Sequence, residues 1–420
     1  MTAKLILGLA VVIACVSSRA ADTTIYNVQT YGAKGDGTTK DTAALQSALD
    51  ACAKNGGGTV LVPEGVYLTG SIIIGPDTTL QLAAKANLTG SPDIADYPLI
   101  QVRWEGEFRD GHRALISADH ADHVTIAGPG AITGPPAPLS HLRNPRGPVL
   151  IELSDCTNAV LKDFSTHYQQ LWSIHLLFCQ HLDVNGVTIR SANANGDGID
   201  VDSCRDLIIE HCDILGGDDA ISLKSGRGLA AQNLNRPTED VIIRDSTLAS
   251  SLYAALGLGT EMSGGIRNVR LENCTISGHQ NAIFIKSRDG RGGYMENITG
   301  ENLTVNSSPT FIGIDLVKKG IQATDPVTGD IAKWARVGNF TFNHIRLNHV
   351  AALVVGKNVS PQRPLDGLTL TDITGTCGKG IDLANMVNVK LAGIHVTRFA
   401  GPLVTATNVT GTGLDNPAGK

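Results

Sequence analysis

One short phrase recurs ten times along this chain and restricts what it can fold into. A polar residue opens it, alternating apolar positions follow, then a turn and a second apolar pair. It reads "HVTIAGPGAI" from His123, "NAVLKDFST" from Asn158, "HLDVNGVTI" from His181 and "DLIIEHCDI" from Asp206. "DVIIRDSTL" from Asp240, "NVRLENCTI" from Asn268, "NITGENLTV" from Asn297, "NFTFNHIRL" from Asn339, "GLTLTDITG" from Gly367 and "NVKLAGIHV" from Asn388 continue the series. Most steps between starts lie in the twenties, and the longer ones leave room for inserted loops. Period-two alternation in such short runs means strands, punctuated by Gly and Asn turns. Short strands at coil length describe a parallel β-helix, in which each coil covers the apolar face of its neighbour. A β-sandwich also spaces its strands regularly. Asn-Gly hairpin signals are scarce here, though, and the phrase itself repeats, which favours an all-β parallel solenoid.

The N-terminal part departs from this pattern. "DTAALQSALDACAKNGGG" from Asp41 has apolar residues at helical spacing, with Asp41 placed as N-cap and Gly56–Gly58 as the stop. A short helix here caps the open end of the solenoid. Residues 21–75 thus read as a cap plus the first strands, and 21–420 as a single domain. Residues 1–20, "MTAKLILGLAVVIACVSSRA", carry a lysine, an apolar run and small residues, the order of an export signal cleaved after Ala20. "VIAC" also fits a lipoprotein signal with Cys15 as the lipidated residue; the run is too short for a permanent span. The expected location is secreted or periplasmic, with no membrane contact beyond such an anchor. Loss of Lys4 and Arg19 takes the basic count from 34 to 32 against 40 acids, a mature charge of about −8. No basic stripe invites nucleic acid. Eight cysteines in an exported chain suggest disulfides, with Cys204 and Cys212 among the candidates, and none has zinc-site spacing.

Chemistry concentrates in "NANGDGIDVDSCRDLIIEHCDILGGDDAISLKSG", which begins at Asn193. Aligning the coils places "DGIDV" from Asp197 beside "DAISL" from Asp219, "AALGL" from Ala254 and "NAIFI" from Asn281. Neighbouring strands sit about 4.8 Å apart, so Asp197 lies over Asp219, with Asp218 adjacent and Tyr253 at the equivalent place one coil on. Crowded carboxylates cannot all ionise freely, and one keeps its proton. A neutral acid beside an ionised carboxylate is what glycoside hydrolysis requires. Turn aspartates and a calcium site are the competing readings, but isolated turn acids have no reason to stack.

"NGDGID" at Asn195–Asp200 and "GGDDAISLKSG" at Gly216–Gly226 resemble the polygalacturonases, glycoside hydrolase family 28. "YPLIQVRWEG", "WSIH", "GTEMSGGIRNV" and "DGRGGYMENI" extend the resemblance over nearly the whole mature chain. It implies a right-handed parallel β-helix and an inverting hydrolase of α-glycosidic bonds in pectic polysaccharide, without metal or other cofactor; the chain is expected to act as a monomer. On it, Asp218 matches the general acid, and Asp197 and Asp219 the pair that activates water. Asn195 and Asp200 match sugar-subsite positions. Two positions depart from the family's pattern. Its Gly-His-Gly histidine is Tyr253 here, and its Arg-Ile-Lys triplet reads Phe284-Ile285-Lys286, keeping only the lysine for the substrate. Phenylalanine cannot fork onto a carboxylate, which makes a rhamnose-containing or otherwise neutral pectic glycan an alternative substrate. A glycan-binding β-helix without activity and a calcium-dependent lyase are the other readings. Trp104, Trp172, Trp334 and Tyr294 are candidate sugar-stacking rings, and His175 a candidate for the cleft wall.

Overall fold

Each described copy of the phrase opens on a backbone in the left-handed region: φ is 53° at His123, 54° at Asn158, 55° at His181 and Asp206, and 56° at Asn268. A second left-handed residue follows five positions later, as at Asp163, Gly186, His211, Asp245 and Asn273. Asn and Asp tolerate this conformation better than other side-chain-bearing residues, which explains the polar opening of the phrase. The computed structural model describes residues 24–135, 144–169, 171–191, 193–317, 334–397 and 400–415; the export segment and Cys15 fall outside them. Within these, the turn residues stack coil on coil and bond to one another. Asn268 donates to Asp240 at 2.8 Å and Asn297 to Asn268 at 3.0 Å.

The strands between these turns pair in parallel, always with the next coil. This is the right-handed parallel β-helix, the hand that parallel crossovers adopt almost without exception. Its interior is built from in-register apolar columns. Ile199, Ile221, Leu256, Ile283, Ile312, Val354 and Ile381 pair successively, and all are at most 1 % exposed. One hydrophobic cluster runs from Tyr26 to Val404.

A helix, Thr42–Lys54, covers the N-terminal end with Leu45, Ala48, Leu49 and Cys52 facing inward. Asp41 takes the N-cap position, but its carboxylate makes no cap bond. It accepts instead from the amides of Lys34 and Gly35, at 2.7 and 3.0 Å, and pins the preceding loop. No helix among the described residues is long and apolar enough to cross a membrane.

Two elements break the solenoid pattern. An antiparallel hairpin joins Leu99–Trp104 to Glu107–His112, turning through Glu105 and Gly106, both at positive φ. A seven-residue helix, Gly228–Leu234, fills part of the long step from Asp206 to Asp240. The two meet where Arg227 pairs with Glu107, and the buried Arg103 holds Asp202 at 2.9 Å.

The disulfide expectation is overturned for the described cysteines: Cys52, Cys156, Cys179, Cys204, Cys212, Cys274 and Cys377 are free and buried. Cys204 and Cys212 flank the six-residue strand Arg205–Glu210. A strand of that length holds its ends roughly 20 Å apart, far beyond disulfide reach. The thiols are lining residues, as where Cys179 and Cys204 donate to the carbonyls of Leu153 and Leu176, each at 3.3 Å.

Candidate active site

The strand register brings the acids together as the aligned segments require. Ile199 pairs with Ile221, Ile221 with Leu256 and Ala254 with Asn281. Asp197 therefore lies level with Asp219, two residues before each strand pair. One carboxylate oxygen from each of Asp197, Asp218 and Asp219 lies within 4.8 Å of the others. All three line one cleft with Asn195, Tyr253 and Lys286. Asp197 and Asp219 are 4 % and 1 % exposed, while Asp218 is the more open of the three.

Glycine makes this crowding sterically feasible at two points. A Cβ on Gly217 would fall 2.1 Å from the carbonyl oxygen of Asn193, so a side chain there would drive the two acidic turns apart. A Cβ on Gly257 would fall 2.2 Å from Asp219 Oδ2. The bare backbone of that strand forms the seat of the carboxylate. Asp219 is fixed in it by the Ala254 amide at 3.1 Å and by Lys286 Nζ at 2.7 Å.

A second lysine completes the charge pattern. Lys224 forms an ion pair with Asp200 and lies 3.5 Å from Asp197, its ammonium 3.9 Å from the centre of the Trp172 ring. Four aspartates thus share two ammonium groups, so the cluster retains protons. Burial pushes the Asp218 carboxyl up to about 8, reinforced by the charges of Asp197 and Asp219. Burial also raises Asp197, against the pull of Lys224. Lys224 keeps its proton: Asp200 and Asp197 outweigh the cost of burying it. Glu261, also in the cleft wall, is buried, yet Lys224 and Arg291 hold it down to about 2. Three close carboxylates also have the spacing of a cation site. Here, however, Lys286 already takes Asp219 Oδ2 and Lys224 stands against Asp197, and both would repel a divalent ion.

Several sequence expectations need correction. Asp200 does not line the cleft: it is wholly buried beneath Lys224, so it supports the site without meeting sugar. His175 is 1 % exposed, 2.8 Å from Glu152 and edge-on to Trp172 at 5.0 Å. It buttresses the wall from behind. Trp104 and Trp172 do border the cleft, but they stack on each other at 4.1 Å and are nearly buried. Tyr294 packs against Gly265 and Arg336, and Trp334 bonds Asp289 at 3.1 Å; neither lines the cleft. The residues not foreseen are Lys224, Glu261, Gly257 and Arg288. Lys224 stands in the quoted "DAISLKSG" and could have been found there, five residues after Asp219 on an outward-facing strand position. Glu105 reaches the cleft from the hairpin turn, which no repeat signal announced.

Comparison with known proteins agrees with this geometry. Residues 52–393 match the pattern of the glycosyl hydrolases of family 28. A probable polygalacturonase of Vitis vinifera is 33 % identical over 66 % of this chain, which spans only 60 % of that protein's length. An exo-poly-alpha-D-galacturonosidase of Dickeya chrysanthemi is 26 % identical over 90 % of this chain and 69 % of its own. The structure of a family 28 exopolygalacturonase from Yersinia enterocolitica superposes with a TM-score of 0.85 at 19 % identity, covering 95 % of this chain and 79 % of that one. With its acids on the matched coils and most of its length within the matched pattern, this chain belongs to the glycosyl hydrolases of family 28.

Proposed function

We propose that this protein is exported and hydrolyses the α-glycosidic bonds of pectic polysaccharide, with galacturonan as its substrate. The observation carrying this reading is the position of Asp218, open to a cleft and with a carboxylate oxygen within 4.8 Å of Asp197 and Asp219, where burial pushes its carboxyl up to about 8 and favours the protonated form. Asp218 donates its proton to the bridging oxygen as the bond to the anomeric carbon breaks. Asp197 and Asp219 take a proton from the water that attacks that carbon from the other face. Asp218 ends ionised and the basic pair protonated, and exchange with solvent restores both. Lys286 and Lys224 hold the pair's negative charge in place between turnovers.

An inverting course needs room for water, ordinarily about 6.5–9.5 Å between acid and base. The closest oxygens here are nearer than that, so water must sit beside the Asp197–Asp219 pair rather than on the line to Asp218. Nuclear magnetic resonance of the first-formed sugar decides the point: inversion gives the β-anomer from an α-linked substrate, and an α-anomer rejects this water placement. The names of the Dickeya and Yersinia relatives describe exo-acting enzymes. The hairpin carrying Trp104 and Glu105 adds a wall to the cleft outside the solenoid coils, which supports release of short products from a chain end. A second reading, a neutral pectic sugar in the subsite, is favoured by Phe284, which lines the cleft where the resemblance expects arginine. A panel of galacturonan and rhamnose-containing oligosaccharides, with product sizes followed over time, separates the two and tests the mode of attack.

A further inference from the structure

An acidic polymer needs a cation in its cleft, and the lysines there are already committed. Lys224 faces Asp200 and Asp197, and Lys286 faces Asp219. The remaining basic side chain among the described cleft residues is Arg288, two positions beyond Lys286 in "FIKSRDG". Its Nε and Nη1 are buried and meet no hydrogen-bond partner among the described residues. Buried guanidinium nitrogens without acceptors are costly and uncommon, and a ligand carboxylate is the acceptor that the planar fork fits best.

The neighbouring residue suits the same ligand. Phe284 stands in an outward column between Gly257 and Gly313, so neither neighbour in that column carries a side chain that would cover its ring. It is half-buried, with the Lys286 ammonium 5.4 Å from its centre. An arginine at 284 would have aimed a charge from the strand itself. Here the strand offers a flat apolar ring, and the guanidinium is set four residues further along, in the loop that follows.

We infer that Arg288 binds a uronate carboxylate of the polysaccharide, with the Phe284 ring beneath the sugar. This rests on the pectic reading above and makes the subsite one for an acidic sugar, met by a displaced arginine. The coil carrying Arg288 lies two strand spacings beyond the coil of Asp219, about 10 Å along the solenoid axis. The contacted sugar is therefore on the later-coil side of the cleaved bond.

The test uses the Asp218→Asn protein, so that ligand is bound but not consumed, and calorimetry with trigalacturonate and with its fully methyl-esterified form. Adding Arg288→Gln should weaken trigalacturonate roughly ten- to hundredfold, the worth of a charge-assisted hydrogen-bond pair. The uncharged ester should change by less than about twofold. Arg288→Lys should fall between, because it keeps the charge and loses the fork. Unchanged trigalacturonate affinity, or equal losses for both ligands, overturns the inference. If neither ligand binds when Arg288 is intact, the pectic reading itself fails, and the assignment of Arg288 fails with it. Ester binding by the Gln variant also shows that the cleft remains folded.

Discussion

Replacing Gly257 by alanine should silence the site while leaving the solenoid intact. The added Cβ would sit 2.2 Å from Asp219 Oδ2 and 2.7 Å from Cγ. An ordinary contact needs about 3.4 Å, so the carboxylate must retreat by roughly 1 Å or rotate. Either movement breaks its bonds to Lys286 Nζ and the Ala254 amide, and a displacement of that size costs on the order of 10²-fold in rate. Gly257 has no left-handed backbone requirement. An alanine there restricts the unfolded chain and offsets part of the steric cost to the fold by ~0.4–1 kcal/mol. The expected outcome is a kcat near one hundredth of wild type, with the melting temperature within a few degrees. On an Asp219→Asn background the same substitution should have almost no further effect, because both act on one carboxylate. Wild-type turnover in Gly257→Ala, or full additivity in the double variant, would refute the steric seat.

Other consequences are as direct. Asp218 must be protonated to act as the acid, so kcat/KM should decline as pH rises through about 8; an alkaline limb unmoved from the ordinary carboxylate range would contradict its assignment. The same shift links to stability. A carboxyl raised on folding favours the fold fully below its unfolded value near 4, and that contribution is lost as pH climbs through about 8. Asp218→Asn should accordingly flatten the melting-temperature profile across that window. Ile221→Ala, in the middle of an inward column, should cost ~2–5 kcal/mol in denaturant unfolding. A change below 0.5 kcal/mol would mean that the column does not carry the fold. Because the described cysteines are free thiols, a reductant should leave the melting temperature unchanged; a marked drop would reveal disulfides.

Most of the architecture was written in the phrase that opens on a turn residue. The left-handed residues at its first and sixth positions mark equivalent turns of successive coils, so aligning "DGIDV" with "DAISL" gave the strand register without further information. What escaped detection lies off that period. The Leu99–Trp104 hairpin turns on Glu-Gly, a weaker signal than Asn-Gly, and Gly228–Leu234 is too short to show helical spacing. Asp200 and His175 were misplaced for one reason: both point outward from strands, yet Lys224 and Trp172 roof them over. Strand alternation gives direction and cannot report what a neighbouring long side chain covers. The cysteines misled because composition and export argue for disulfides, whereas the ladder spaces Cys204 and Cys212 a full strand apart.

The most direct measurement incubates wild type and Asp218→Asn, each confirmed folded by circular dichroism, with galacturonan and follows new reducing ends together with their anomeric configuration. Wild type should release saturated galacturonate units that appear first as the β-anomer, and the Asn variant should fall at least a hundredfold in rate. Unsaturated products, or equal rates from the two proteins, would contradict hydrolysis by this trio of carboxyls.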